Sequence, residues 1–475
     1  MKFLKINTNN ILMVQDFFEK YPDIETYSYE KVMKLYLEQY YWPSNSLETA
    51  LSSLYSWDCE TIISLFDNTD IEADIFFDKW SEKYNQKYNS NNFFDKLLFQ
   101  ILYHNPDILY IQEVWRYPKD FIFKIKHLLK NIIIVGWNCS IPSQYYLSTL
   151  TYVDIVYTCA SNIDYQMKAF GINSINVGHF FDSKLLKNLT NEKKYDVVFI
   201  GSLIDPLHQD RVELLKYLLS VGINVTIFGK SVDETLKAYC KEPKYGLCLY
   251  QVYKSSKIVL NNHIIEDIRY SGNIRMYEVT GVGSLLLSDF KEDMNSKFQL
   301  DKEAITYRTF EEAGTKIRYY LNHSSQREVI AKNGQVRTLK DYSYTEFAKK
   351  VYKSINNLEN ISIEERYKNI LKAKENGNYL FSIQINSFLK KFRETGLRKE
   401  KFILYGYGTI GHIIYEQNKD NIEYIIDSND YVINLHKAKD SKSNIFISVL
   451  GREDEIKKLL ISHGVNENRI QTVNI

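Results

Sequence analysis

Short continuous apolar runs alternate with longer stretches of helical spacing along most of this chain. KFLKI (2–6) reads as a first strand, and about 11–100 reads as helical, rich in aromatics and acids. PDILYIQE (106–113), IIIVGWN (132–138), VDIVYTC (153–159) and INVGHF (175–180) then follow as strands, with FIFKIKHLLK (121–130) an amphipathic helix among them. Runs rich in β-branched residues and separated by helices predict a parallel sheet covered on both faces.

The charged stretch KNLTNEKKYD (187–196) marks a boundary, and the pattern restarts. Strands are predicted at 195–202, 223–230, 256–262, 284–288 and 304–308, and helices at 210–222, 274–281 and 310–323. This is a second doubly wound unit. Residues 325 to about 397 read as helical. KEKFILYGYGTIGHIIYEQ (399–417), IEYIIDS (422–428) and NIFISVLG (444–451) then form a third αβ unit. The domains expected are 1–187, 188–357 and 399–475, with a helical link over 358–398.

At 475 residues, several cores are affordable without staples. A net charge of +1 gives no support to nucleic-acid binding, which needs concentrated Lys and Arg. The five cysteines are scattered singly and form no CxxC, so reduced thiols in a cytosolic protein are expected. No 18-residue apolar run and no leader pattern is visible, so a cytoplasmic chain is expected. Peripheral contact at the inner face of a membrane stays open, and the oligomeric state is not readable.

Ligands of parallel α/β sheets sit beyond the carboxyl ends of the strands, where helix starts face anions. After VVFIGS, Gly201 lets backbone approach a phosphate, Ser202 can donate, and Arg211 lies inside the next helix. In SGNIRMYEVTGVGSLLLSD (271–289), Gly272 and Asn273 turn the chain into a helix. Arg275 suits a diphosphate. Glu278, on the same helical face, suits ribose hydroxyls. Asp289 falls at the following strand's carboxyl end. The competing reading is a solvated i,i+3 Arg–Glu pair. His263 and His179 are the candidate bases for an acceptor hydroxyl. Asn138 can only hydrogen-bond a sugar.

The stretch SKIVLNNHIIEDIRYSGNIRMYEVTGVGSLLLSD resembles the nucleotide-sugar domain of bacterial GT-B glycosyltransferases of the CgeB-like, group 1 set. The resemblance covers roughly residues 1–357 and is most specific over 255–345. It implies two facing Rossmann-like domains, with Arg275 at the diphosphate, Glu278 at the ribose, and Gly201 and Ser202 on the phosphate side. It implies transfer without a catalytic metal or other cofactor, from a nucleoside-diphosphate sugar to a glycan, lipid-linked or protein acceptor. The setting implied is surface-glycan or protein glycosylation. One departure stands out. Many retaining members carry two glutamates with seven residues between them, and the first would fall on Tyr270, with Glu266 and Asp267 out of register. The stereochemical outcome is therefore not implied.

YGYGTIG places Gly406, Gly408 and Gly411 in GxGxxG register after a strand, with Asp427 ending the next strand. That is the context of a dinucleotide fingerprint, so NAD(P) is the ligand to test. A structural or docking role is preferred, because only half a dinucleotide fold is present. The two rival functions are accordingly an NAD(P)-dependent oxidoreductase built on this unit and a non-catalytic GT-B-like scaffold.

Overall fold

The computed structural model describes residues 1–472 except 10, 42–44, 66–71, 140–148, 204–207, 264–269, 360, 373–391, 393–399, 407–413, 416–417, 427–436 and 449–452. The chain divides into two compact units, Met1–Ile370 and Leu371–Ile475.

The first unit holds two six-stranded sheets, parallel throughout. The first sheet contains β1 (Lys2–Asn9), β2 (Asp58–Leu65), β3 (Ile108–Ile111), β4 (Ile133–Trp137), β5 (Ile155–Thr158) and β6 (Ser174–Asn176). Its order is β2-β1-β3-β4-β5-β6. The second contains β7 (Tyr195–Ile200), β8 (Thr226–Phe228), β9 (Cys240–Lys241), β10 (Ser256–Asn261), β11 (Leu285–Asp289) and β12 (Ile305–Tyr307). Its order is β12-β11-β10-β7-β8-β9. Numbered within the domain that is 3-2-1-4-5-6 read backwards, so the topological switch point lies between β7 and β10. The fold is α/β with two Rossmann-like, doubly wound domains, as the apolar pattern predicts.

Both faces of the second sheet are buried. Val197, Phe199, Ile258, Leu260, Leu285 and Leu287 enter one core cluster with the helices Gln209–Ser220 and Phe310–Asn322. Their neighbours Val198, Ile200, Val259 and Leu286 enter another with Gly246–Lys254 and Arg275–Val282. Alternate side chains of a strand point to opposite faces, so the central run of each strand must be apolar on consecutive positions.

Two findings differ from the pattern reading. Asp58–Leu65 is a strand inside the stretch read as helical, pairing in parallel with β1 over its whole length. A short apolar run such as TIISL does not distinguish strand from helix by periodicity, and here the sheet edge decides it. The helix Tyr344–Asn356 follows the second domain in the chain but returns to the first, where Phe347, Ala348, Val351 and Ile355 complete its core. The ring of Tyr352 stacks on Tyr55 at 3.8 Å.

The second unit has a four-stranded parallel sheet, β14-β13-β15-β16, formed by β13 (Phe402–Tyr405), β14 (Ile422–Ile426), β15 (Asn444–Ile447) and β16 (Ile470–Gln471). The small αβ unit expected after residue 399 is thus present. Among the described residues, no helix is long and apolar enough to cross a membrane.

Candidate functional site

The carboxyl ends of β7, β10 and β11 gather most of the predicted residues. The helix Arg275–Val282 starts there, because the Asn273 side chain accepts the Arg275 backbone N–H at 2.9 Å. Arg275 is buried, at 8% exposure. Its guanidinium donates to Asn261 Oδ1 at 2.8 Å and to Tyr253 Oη at 3.3 Å. It also lies 5.3 Å from the Phe199 ring centre. Gly201 is the floor under it. A Cβ at Gly201 would come within 2.7 Å of Arg275 Nη2, so only glycine leaves the guanidinium flat against the strand end.

Glu278, one turn on, is equally buried and accepts from Tyr250 Oη at 3.2 Å. Burial pushes its carboxyl up to about 7, although Arg275 and the Tyr250 hydrogen bond both pull it down. The solvated surface pair is therefore not what forms. A cation whose described hydrogen-bond partners are neutral sits beside a partly protonated carboxyl, inside the protein.

His263, two residues beyond β10, is 2% exposed. Asp289, the last residue of β11, accepts both its backbone N–H at 3.0 Å and its Nδ1–H at 2.7 Å. That partner fixes the tautomer and leaves the lone pair on Nε2, which has no hydrogen-bond partner among the described residues. Asp289 is also 3.1 Å from Lys291. Burial alone would raise its carboxyl, but His263 and Lys291 outweigh it and hold the group at about 2.

Arg211 is a cross-tie rather than an open cation. It donates from Nε to the Asn262 carbonyl at 2.9 Å and from Nη1 to the Ser202 carbonyl at 3.4 Å, joining the two sides of the switch point. Ser202 is exposed beside it. His179 is elsewhere, beyond β6 of the first sheet, with Nε2 donating to the Gly272 carbonyl at 2.8 Å. Burial pushes it down to about 4 against the pull of that bond, with Lys297 adding a smaller push in the same direction. In the second unit, Gly406 donates its N–H to the Ile426 carbonyl at 2.9 Å. Gly408, Gly411 and Asp427 lie outside the described residues, as do Glu266 and Asp267.

The pattern reading missed Asn261, Tyr253 and Tyr250, which hold the charged pair. Asn261 carries a weak signal, two residues before His263 in LNNH. The tyrosines carry none, since they sit on the buried side of the helix Gly246–Lys254 and resemble any core aromatic. The cysteines also depart from the expectation of separate thiols. Cys139 and Cys159 are paired, with Cα atoms 5.4 Å apart, because β4 and β5 are adjacent and end level with each other.

Residues 209–353, the stretch that carries Arg211, His263, Arg275, Glu278 and Asp289, match the family model described as glycosyl transferase-like. No curated protein matches. Among solved structures, the chain is similar to HepE from Anabaena in complex with UDP and glucose, at 12% identity, 75% of this chain, 100% of that chain and a TM-score of 0.49. It is also similar to a glycosyltransferase from Rickettsia africae at 10% identity, 75% and 99% coverage and a TM-score of 0.48. A third likeness is to sucrose-phosphate synthase from Thermosynechococcus elongatus, at 9%, 75% and 99% coverage and a TM-score of 0.46. At such identities and TM-scores these remain likenesses.

Proposed function

We propose that the chain is a GT-B glycosyltransferase that moves a sugar from a nucleoside-diphosphate sugar to a glycan, lipid-linked or protein acceptor. The setting proposed is bacterial surface-glycan or protein glycosylation on the cytoplasmic side. Residues 1–187 form the acceptor side and 188–357 the donor side, with 358–398 linking to the unit at 399–475. The observation that carries this reading is the buried Arg275 guanidinium against Gly201, hydrogen-bonded only to neutral groups among the described residues. A desolvated cation without an ion-pair partner among the described residues gains from an anion, and a planar fork fits two phosphate oxygens.

In this reading Arg275 takes the diphosphate, Gly201, Ser202 and Asn273 shape the phosphate side, and Glu278 accepts from ribose hydroxyls. Arg211 keeps the loops after β7 and β10 together. The acceptor oxygen forms a bond to the anomeric carbon, and the bond from that carbon to the diphosphate oxygen breaks. The leaving diphosphate carries the electron pair and is held by Arg275. The acceptor proton passes to His263 Nε2, with Asp289 fixing the ring. Transfer itself uses no metal and no NAD(P).

Calorimetry with UDP, GDP, CDP, dTDP and NAD tests this. One nucleoside diphosphate is expected to bind, and Arg275→Ala to weaken it by about 10- to 150-fold, the worth of a charge-assisted hydrogen bond of about 1.5–3 kcal/mol. Binding of NAD alone would move the activity to the C-terminal unit. Diphosphate binding without transfer or hydrolysis of any donor would leave a scaffold.

A further inference from the structure

Three soft donors meet at the carboxyl edge of the first sheet. Cys139 stands two residues beyond β4, Cys159 directly follows β5, and His179 stands three residues beyond β6. These strands are consecutive neighbours in the sheet. One donor atom from each residue lies within 4.8 Å of the other two, the one such group among the described residues. Cys159 and His179 are buried, and Cys139 is half-buried.

We propose that, with its cysteines reduced, the chain binds a thiophilic divalent cation of the zinc class through Cys139, Cys159 and His179. Two thiolates and an imidazole are a ligand set that such an ion takes, whereas calcium and magnesium require oxygens. Thiolates on neighbouring strand ends, with Cα atoms 5.4 Å apart, reach one ion at a metal–sulfur distance of about 2.3 Å. The imidazole is also supported as ligating histidines are. Its Nε2–H donates to the Gly272 carbonyl at 2.8 Å, which sets the tautomer and puts the lone pair on Nδ1. Its ring is wedged between Trp137 and Tyr277, with centroids 5.9 and 5.8 Å away. A fourth position is left for water.

Binding replaces two S–H bonds by two S–metal bonds. Two protons go to solvent and nothing is oxidised. The ion would stand apart from the sugar-transfer chemistry. It would tie three strand ends together and, through His179, brace Gly272, three residues before Arg275. The contact there is already close, since a Cβ on Gly272 would come within 2.9 Å of the Ala160 Cβ. The proposal does not depend on the transferase reading. A disulfide between the same two sulfurs is the competing fate.

The test uses the full chain, reduced with a phosphine and freed of metal, titrated with Co²⁺ under argon. Uptake of one ion per chain is expected, with a thiolate-to-cobalt charge-transfer band that Zn²⁺ bleaches. Cys139→Ser, Cys159→Ser and His179→Ala should each lose that band. The unaltered chain gives an independent reading should a variant not fold. Zn²⁺ should slow alkylation of Cys139 and Cys159, followed by mass spectrometry, and leave exposed Cys248 unaffected. No uptake by the chain with both thiols shown to be free overturns the proposal. So does uptake that persists in the doubly substituted Cys139→Ser/Cys159→Ser chain, or zinc protection spread equally over all five thiols.

Discussion

The two sheets of residues 1–370 are built alike, yet they bury charge in opposite ways. In the first, Lys5 on β1 is 1% exposed and lies 3.1 Å from the Glu48 carboxylate. Thr61 on β2 donates to the same carboxylate. Burial drives the Lys5 ammonium down and Glu48 pulls it back up. Charge and countercharge close on each other. In the second, Arg275 is buried among an amide oxygen, a phenol and an aromatic ring. Its nearest acid on the helix, Glu278, is pushed towards neutrality. The first charge is answered within the fold, whereas the second is the cation that the proposed function gives to the donor diphosphate.

The sharpest way to break that contrast is Lys5→Met. It leaves Glu48 buried without its partner, so a loss of about 3–5 kcal/mol is expected in urea unfolding. Nucleotide affinity of the folded chain should stay unchanged. Weaker nucleotide binding at constant stability would show that the first sheet's charge also serves a ligand. Arg275→Ala should do the reverse, with the calorimetric loss given above exceeding its effect on unfolding.

Gly201→Ala comes next. Its methyl group meets Arg275 Nη2 and must displace it, for a cost on the order of 1 kcal/mol in diphosphate affinity, about fivefold. The measurement is the same titration. An unchanged Kd would separate Gly201 from the site.

The smallest effect at neutral pH, and the most diagnostic, concerns Glu278. Its carboxyl is raised from 4.5 to about 7 on folding. A raised acid favours the folded state while protonated. The stability it contributes is present below pH 4.5 and is lost as pH rises through about 7. Urea midpoints of the wild type should therefore fall across that window, and Glu278→Gln should flatten this part of the slope. Parallel slopes would place the Glu278 carboxylate in a wetter setting than the one described here.

Much of this was legible in one dimension. β7, β10 and β11 each carry an unbroken apolar run, at 197–200, 258–260 and 285–287, and only a sheet buried on both faces asks for that. The three-residue step from Arg275 to Glu278 puts both on one helical face whatever surrounds them. Asp58–Leu65 was not legible, because five apolar or small residues in a row suit a helix as well as a strand. Tyr250 and Tyr253 were not legible as site residues either, since nothing in a helical stripe of aromatics says that a phenol will meet a guanidinium.

The sequence by itself determined the class of fold, the three αβ repeats and the local order of Arg275, Glu278, His263 and Asp289. These follow from backbone periodicity and from which positions must leave water. The tertiary structure alone decided that Asn261 and Gly201 frame Arg275, that Lys5 closes on Glu48, and that Cys139, Cys159 and His179 converge. Each of those contacts joins residues far apart in the chain, and strand order brings them together. Hydrophobic period says which face of an element is buried, but not which other element it is buried against.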